Sequence, residues 1–324
     1  DRTGGTILHS SRTNPRKMRA KALPSWLDPK SVADKQTSEG VYDLTDHVLE
    51  TIDHLGLTNL VTIGGDDTLS FSSVLYERGL PLVAIPKTMD NDVNGTEYCI
   101  GFSSAITRAK EVLNRQRTTL GSHERLGVFR IFGRDAGFTA LYTAYVTSTR
   151  CVIPEFPYDI KALAEILKED YRNNPSRYAI VITAEGAIWE GAQIQDVGEA
   201  DAFGHRHKMN VGEVLASELK ALTGIEAVES DLTYDLRSGE PDMLDSMVAT
   251  TFANVAMDLI RDGVGGRMVA IREGKYGHVS LAETAKPPRR VQLAAYDTDR
   301  FRPKYADREG DPLLLTPSLG PAES

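Results

Sequence analysis

Charged side chains follow two apolar runs in the first third of the chain. The stretch IPKTMDND occupies residues 85–92, and LVTIGGDDTLS occupies residues 60–70. Each apolar run is typical of a buried strand, which predicts that four aspartates and one lysine lie where two strands end. Carboxylates beside a lysine at such a place indicate chemistry on a charged ligand.

The earlier stretch continues as Gly64-Gly65-Asp66-Asp67-Thr68. Two glycines permit a sharp turn and a close approach of a ligand, and a predicted helix at 68–79 turns its free N–H groups toward the turn, which suits an anion. Because the turn is itself acidic, an anion there requires a bridging cation, and Mg²⁺ held by carboxylates and phosphate oxygens fits. A structural alternative is that Asp67 or Thr68 caps the helix.

The later stretch contains Lys87, Thr88, Asp90 and Asp92. A carboxylate here could take a proton from an attacking hydroxyl, and the lysine could neutralise a phosphoryl group. A single aspartate after a strand is usually a cap or a turn residue. Together, the two stretches favour Mg²⁺-dependent phosphoryl transfer over capping.

Three arginines and a glutamate complete the candidate set. Arg125 and Arg134 flank the apolar run 126–132, and Arg237 lies in LRSG. Guanidinium groups are the usual clamp for a phosphate dianion. Glu185, at the end of YAIVITAEG, could accept hydrogen bonds from sugar hydroxyls. Taken singly, each arginine is better explained as a surface residue, and Glu185 as a solvated strand end.

The elements that must position these residues alternate between strand and helix. The predicted strands are 60–64, 82–86, 126–132, 150–153, 178–184 and 267–272. The predicted helices are 42–56, 68–79, 102–118, 136–148, 159–170, 211–223 and 242–262. This alternation predicts an α/β fold with mostly parallel sheets covered on both faces, in which ligands bind beyond the carboxyl ends of the strands.

Composition narrows the class of protein. The 324 residues carry a formal charge of −9, which argues against a nucleic-acid or anionic-membrane partner. No apolar run approaches the roughly 20 residues that span a bilayer, and no signal-peptide pattern opens the chain. Cys99 and Cys151 have no metal or redox spacing, so we expect buried thiols and a cytoplasmic protein. The first residue, Asp1, suggests a fragment or a trimmed chain.

In order along the chain, GGDDT, PKTMDND with GTEYCIGFSSA, FGR, TAEG and LRSG resemble the motifs of the phosphofructokinase family, from about Thr3 to about Ala282. The resemblance implies phosphoryl transfer to the 1-hydroxyl of fructose 6-phosphate with Mg²⁺. It also implies two similar three-layer α/β domains with the active site in the cleft between them. Residues 1–101 with 236–285 would form the phosphoryl-donor domain, N-terminally incomplete, and residues 102–235 with 286–324 the sugar-phosphate domain and a C-terminal tail.

The resemblance also implies a role for each residue that matches a family motif. Asp90 matches the general base on the sugar hydroxyl, with Lys87 and Thr88 beside it in the catalytic set, and Asp66 matches the aspartate associated with Mg²⁺. Contacts to the sugar phosphate are implied for Thr88, Asp90, Arg125, Phe132, Gly133, Arg134, Glu185, Tyr234 and Arg237. Contacts to the phosphoryl donor are implied for Arg12, Gly65, Asp67, Thr68 and Lys87.

Two positions address the identity of the donor. Family members that use ATP have glycine at the positions of Asp67 and Lys87, and members that use pyrophosphate resemble this chain at both. An aspartate fills the room that a nucleoside triphosphate needs and repels a third phosphate, while a lysine suits a small, highly charged diphosphate. We therefore expect a pyrophosphate-dependent, reversible enzyme. The alternatives are an ATP-dependent phosphofructokinase, a lipid or NAD kinase, and a regulatory subunit that binds the sugar phosphate without turnover.

The chain departs from the family pattern in three places. The strand and glycine-rich loop that usually precede the region matched by Thr3–Arg12 are absent, which predicts a missing sheet strand and donor-site wall. Val228 stands where many members have an arginine, and Tyr234-Asp235-Leu236 precedes Arg237 in place of His-x-Gln. The family shares its sugar site across a subunit interface, so we expect a homodimer or homotetramer in which Arg125 reaches the neighbouring protomer's site.

Overall fold

Two four-stranded sheets organise the part of the chain that the structure describes. The computed structural model describes residues 5–11, 13–27, 29–192, 196–197, 207–208 and 210–304. The architecture is α/β with mostly parallel strands, as the alternation of apolar runs and helical patterns predicts.

The first sheet carries both acidic stretches. Its strands lie in the order Lys275–Ser280, Arg267–Arg272, Leu82–Pro86, Leu60–Gly64. The last two are parallel, and Gly64 lies opposite Pro86. Because their carboxyl ends meet at the same sheet edge, the GGDDT and PKTMDND stretches lie side by side.

The second sheet is parallel throughout. Its strands lie in the order Ala227–Asp231, Leu126–Ile131, Ala179–Ala184, Arg150–Val152. Ile131 lies opposite Ala184, so the residues that follow these two strands, Phe132 and Glu185, emerge together at one sheet edge.

Within the described residues, seven α-helices cover the sheets, and all seven are predicted from the sequence within a few residues at each end. They are α1 Thr45–His54, α2 Asp66–Glu77, α3 Phe102–Ser122, α4 Phe138–Thr147, α5 Ile160–Asn173, α6 Val211–Thr223 and α7 Met243–Arg261.

The start of α2 corrects one prediction. The helix begins at Asp66 rather than at residue 68, so Asp66 and Asp67 occupy its first turn instead of a preceding loop. Carboxylates are favoured there because the helix dipole is positive at that end. Gly65 is the N-cap and no side chain caps the helix, so the expected alternative of a cap by Asp67 or Thr68 is wrong.

Within the two four-stranded sheets, two strands escape the sequence prediction, and each is an edge strand of its sheet. They are Ala227–Asp231 in the second sheet and Lys275–Ser280 in the first. Their sequences, AVESD and KYGHVS, carry charged and polar side chains. Such side chains are typical of edge strands, which must discourage pairing with other chains, and they hide the strand signal.

One apolar cluster joins the two sheets. Val83 and Ile85 of the first sheet belong to the same buried cluster as Val128 and Ile131 of the second. Cys151 lies in this cluster and Cys99 in a neighbouring one. Both cysteines are free and buried, which confirms the prediction of buried thiols.

By length and composition alone, α7 could cross a membrane. Its Val248, Phe252, Ala256 and Leu259 lie in the buried cluster that joins the sheets, and this spacing defines the inward face of an amphipathic helix. We therefore interpret α7 as an amphipathic helix that packs one face against this cluster.

Candidate active site

The two acidic stretches contact each other directly. The Lys87 N–H donates to the Gly64 carbonyl at 2.8 Å. A Cβ placed on Gly65 would lie 3.5 Å from the Thr88 Cβ, so the turn before α2 packs against the start of the later stretch. Asp67, Thr68 and Lys87 are exposed around this junction. The structure thus brings the residues predicted to contact the donor to one place, except Arg12, which lies outside the described residues.

Asp90 follows this junction in the later stretch. Its Oδ1 is buried and has no hydrogen-bond partner among the described residues, while its N–H donates to the Thr88 Oγ1 at 3.2 Å. Burial, together with the charges of Asp92 and Glu185, raises the pKa of Asp90 to about 7, against the opposing effect of Arg237 and Arg134. A carboxylate whose pKa is near neutrality, and whose oxygen has no hydrogen-bond partner among the described residues, is suited to accept a proton.

Two further carboxylates share this environment. Burial first, then the charges of Asp92, Asp67 and Asp135, raises the pKa of Asp66 to about 7. Burial and Asp135 raise the pKa of Asp92 to about 6, while its own backbone N–H and Arg289 oppose the rise. Like charges that repel each other in a partly buried place are stabilised by a cation.

The same carboxylates do not form a complete metal centre by themselves. Among the described residues, no group of three His, Cys, Asp or Glu side chains is arranged to hold a metal ion. A cation here would therefore take most of its ligands from water or from a bound phosphate, as Mg²⁺ commonly does. Asp135 was missed by the sequence reasoning, although it directly follows Arg134 in FGRDAG.

Glu185 lies between two guanidinium groups at the carboxyl ends of the strands of the second sheet. Its Oε1 is 4.0 Å from the Arg134 Nη2 and 3.6 Å from the Arg130 Nη2. Arg130 also pairs with Asp231 at 2.7 Å, and its buried Nε has no partner among the described residues. The sequence reasoning missed Arg130, although an arginine inside the apolar strand LGVFRI is itself a signal.

Arg237 stacks on aromatic side chains. Its Cζ lies 4.4 Å from the centre of the Phe132 ring and 5.7 Å from that of Tyr234. Phe132 is buried, whereas Tyr234 is 78 % exposed. Gly133, with φ of +124°, follows Phe132, and a Cβ on it would lie 2.7 Å from the Ala136 carbonyl oxygen. Only glycine therefore fits beneath this arginine–aromatic stack.

Arg125 is separated from the other predicted site residues. It precedes the strand Leu126–Ile131, whereas Arg134 follows that strand's end. Six strand residues span about 20 Å, so Arg125 and Arg134 lie at opposite ends of the second sheet. The charge of Arg125 adds to the ion pair with Lys220 in lowering the pKa of Glu226. Val228 lies toward the same end, opposite Gly127.

The fold is α/β, and carboxylates and arginines lie at the carboxyl ends of its parallel strands. These features define the class of protein as an α/β phosphotransferase. The phosphofructokinase family model matches residues 1–260, and the chain belongs to that family. It is 37 % identical over 303 residues to the pyrophosphate–fructose 6-phosphate 1-phosphotransferase of Thermoproteus tenax, covering 91 % of this chain and 80 % of that protein.

A second relative carries a different donor in its name. The chain is 34 % identical over 295 residues to ATP-dependent 6-phosphofructokinase 3 of Streptomyces coelicolor, covering 90 % of this chain and 80 % of that protein. Because relatives with either donor match to a similar degree, overall identity does not distinguish between pyrophosphate and ATP.

Solved structures agree in fold. The pyrophosphate-dependent phosphofructokinase of Nitrosospira multiformis superimposes with a TM-score of 0.70 at 18 % identity, covering 80 % of this chain and 68 % of that one. The corresponding enzyme of Marinobacter aquaeolei gives a TM-score of 0.66 at 20 % identity, with the same coverage. The prediction of a phosphofructokinase-like α/β fold is confirmed.

Proposed function

We propose that the protein transfers a phosphoryl group from pyrophosphate to the 1-hydroxyl of fructose 6-phosphate. The observation that carries this proposal is the junction of the two strand ends. Asp67 and Lys87 are exposed there, and the stretch that begins with Lys87 also carries the buried Asp90 Oδ1, which has no hydrogen-bond partner among the described residues. The names of several relatives support the same activity.

The acceptor side would work through Asp90. Its carboxylate takes the proton of the sugar 1-hydroxyl as that oxygen attacks a phosphorus atom of pyrophosphate. The bridging P–O bond breaks, inorganic phosphate leaves, and fructose 1,6-bisphosphate forms. Arg134 and Arg237 would hold the sugar phosphate through their guanidinium groups, and Glu185, held between Arg130 and Arg134, would accept hydrogen bonds from the sugar.

The donor side would depend on Asp67 and Lys87. Lys87 offers a compact positive charge to a diphosphate, and Gly65 lets the donor approach the backbone at the N-terminus of α2. Asp67 extends a negative side chain from the first turn of α2, where it would repel the additional phosphate of a nucleotide. Since the P–O bonds broken and formed are similar in kind, we expect the reaction to run in both directions.

The carboxylates of this site fit a divalent cation. Asp66, with its pKa raised partly by Asp92, Asp67 and Asp135, would hold Mg²⁺ together with the donor's oxygens. The bound cation would supply neutralisation of charge on the transferred phosphoryl group.

A donor-selectivity assay tests the proposal. Fructose 1,6-bisphosphate formation is measured with fructose 6-phosphate, Mg²⁺ and either pyrophosphate or ATP, and the reverse reaction is measured with inorganic phosphate. We expect turnover with pyrophosphate and at least tenfold less with ATP. Turnover with ATP alone would overturn the donor assignment, and binding of fructose 6-phosphate without turnover would favour a regulatory subunit.

The double variant Asp67→Gly/Lys87→Gly tests the residues assigned to donor choice. We expect it to lose most of the rate with pyrophosphate and to gain relative activity with ATP, because room is made and the diphosphate's countercharge is removed. Ser70→Gly, also exposed on α2, is the matched control for a glycine in this helix. An unchanged donor ratio in a folded double variant would remove Asp67 and Lys87 from the argument.

Three broader assignments accompany the proposal. We propose that each sheet is the centre of one domain, with the boundaries predicted from the sequence. We also propose a homodimer or homotetramer, since Arg125 lies at the far end of the second sheet from Arg134, and a cytoplasmic location.

A further inference from the structure

Arg289 is a buried cation that the proposed mechanism does not use. It is 9 % exposed, and burial lowers its pKa. Burying a guanidinium group is costly unless its donors are satisfied. Yet within the part of the chain that the structure describes, no carboxylate lies within ion-pair distance of Arg289. Its partners are instead backbone carbonyls and the Phe138 ring, 5.2 Å from its Cζ.

Those carbonyls belong to the turn that carries Asp90 and Asp92. The Arg289 Nη1 donates to the Thr96 carbonyl at 2.6 Å and, more weakly, to the Asn91 carbonyl at 3.4 Å. The Arg289 backbone N–H donates to the Asp92 carbonyl at 2.7 Å. Arg289 therefore holds the peptide groups on both sides of Asp92.

The residue between Asp90 and Asp92 has an unusual backbone. Asn91 is fully buried and adopts φ of +53°, a left-handed conformation that asparagine tolerates better than most residues. Its side chain accepts from the Cys99 N–H at 2.8 Å and donates to the Glu97 carbonyl at 3.1 Å. This conformation sets the directions in which Asp90 and Asp92 project, so what holds the Asn91 peptide also orients both carboxylates.

The far side of the same turn has anchors of its own. The Ile271 N–H donates to the Thr96 Oγ1 at 3.1 Å, and the Glu97 N–H donates to the Ile271 carbonyl at 2.9 Å. Residues 96 and 97 are thus tied to the first sheet without Arg289. What the Arg289 side chain adds is a bridge across the turn, because its Nη1 joins the Thr96 carbonyl to the Asn91 carbonyl, which lies between Asp90 and Asp92 along the chain.

The segment that carries Arg289 also contacts the second sheet's side of the molecule. The Asn94 side chain donates to the Pro287 carbonyl at 3.0 Å, and the Val291 N–H donates to the Glu155 Oε1 at 2.8 Å. Glu155 in turn accepts from the Gly137 N–H at the start of α4. Arg289 is therefore held from two directions and presents a rigid support to the turn.

We propose that Arg289 is a positioning residue, which sets the geometry of Asp90 and Asp92 by holding the carbonyls of the turn between them and Thr96. This inference rests on the proposed function, in which Asp90 accepts the hydroxyl proton. Small displacements of a positioned base reduce the chemical step strongly. Arg289 touches none of the residues assigned to the sugar phosphate, so its loss changes kcat far more than the KM for fructose 6-phosphate.

Two substitutions and one neighbour test the inference. Arg289→Lys keeps the charge and one donor but cannot reproduce the forked geometry, and Arg289→Met removes both. We expect kcat with pyrophosphate to fall about tenfold in the lysine variant and further in the methionine variant, with KM within about threefold of wild type. Arg290→Met is the matched control, because Arg290 is the adjacent, exposed arginine, and we expect wild-type kcat.

The outcomes separate cleanly. If Arg289→Met does not fold, the lysine variant decides: a folded lysine variant with wild-type kcat, or one whose KM rises while kcat is unchanged, overturns the inference. A wild-type chain that turns over no donor overturns the proposed function, and the inference with it. If the wild-type chain is active and the Arg289 variants have wild-type kcat, the inference is overturned but the proposed function stands.

Discussion

The guanidinium of Arg237 lies over the ring of Phe132, with its Cζ 4.4 Å from the ring centre. Arg237 is exposed, whereas Phe132 is buried and precedes a glycine that no other residue can replace without a clash. The buried Phe132 ring thus supports the long, flexible side chain of Arg237. Because the side chain is already held in place, Arg237 loses less conformational entropy when it binds an anion.

We expect Phe132→Leu to raise the KM for fructose 6-phosphate about two- to thirtyfold with little change in kcat. Leucine keeps the apolar volume but loses the cation–π contact, which contributes about 0.5–2 kcal/mol. Steady-state kinetics at saturating pyrophosphate measure the effect. Phe132→Tyr, which keeps the ring, is the control and should stay near wild type; a leucine variant with unchanged KM would show that the ring does not support Arg237.

The cluster of Asp66, Asp90 and Asp92 works against stability. Each has its pKa raised chiefly by burial, to about 7, about 7 and about 6. Between pH 3.8 and about 7 the unfolded chain has released the Asp90 proton while the folded chain retains it. Stability therefore falls as the pH rises through this window. Such a cost is typical of groups selected for chemistry rather than for folding.

Asp90→Asn should therefore abolish most of the rate and at the same time stabilise the protein. Near pH 8 we expect a gain on the order of 2 kcal/mol, because a buried charge is removed, and we expect the gain to vanish as the pH approaches 4. Thermal unfolding of wild type and variant from pH 4 to 8 measures the difference. Asp53→Asn, at an exposed position on α1, should change little; a pH-independent difference for Asp90→Asn would contradict the assigned cause.

The residues found from sequence share one property: their type is unusual for their position along the chain. Asp66, Lys87 and Asp90 are charges placed directly after apolar runs, and parallel strands bring such positions to one edge. The period of the apolar residues predicts all seven helices for the same reason, since the pattern lies in neighbouring residues.

The residues that sequence reasoning missed depend on contacts made far along the chain. Arg289 meets the Thr96 and Asn91 carbonyls 193 and 198 residues away, and nothing in KPPRR indicates them. Arg130 pairs with an aspartate 101 residues later, on an edge strand that the polar sequence VESD conceals. Such pairings arise from sheet order and packing, which a local pattern does not contain.

The position of Arg125 predicts complementation between two inactive variants. Arg125 precedes the strand Leu126–Ile131, and Arg134 follows it, so under the proposed oligomer Arg125 would serve the sugar site of a neighbouring protomer. Arg125→Ala and Asp90→Asn should each be nearly inactive. In a dimer, random mixing makes about half of the molecules hybrids with one intact site, which restores about one quarter of wild-type activity.

Arg134→Ala mixed with Asp90→Asn is the control, because both defects lie in one protomer's site, and it should restore none. Equal activity in both mixtures would place Arg125 outside the shared site.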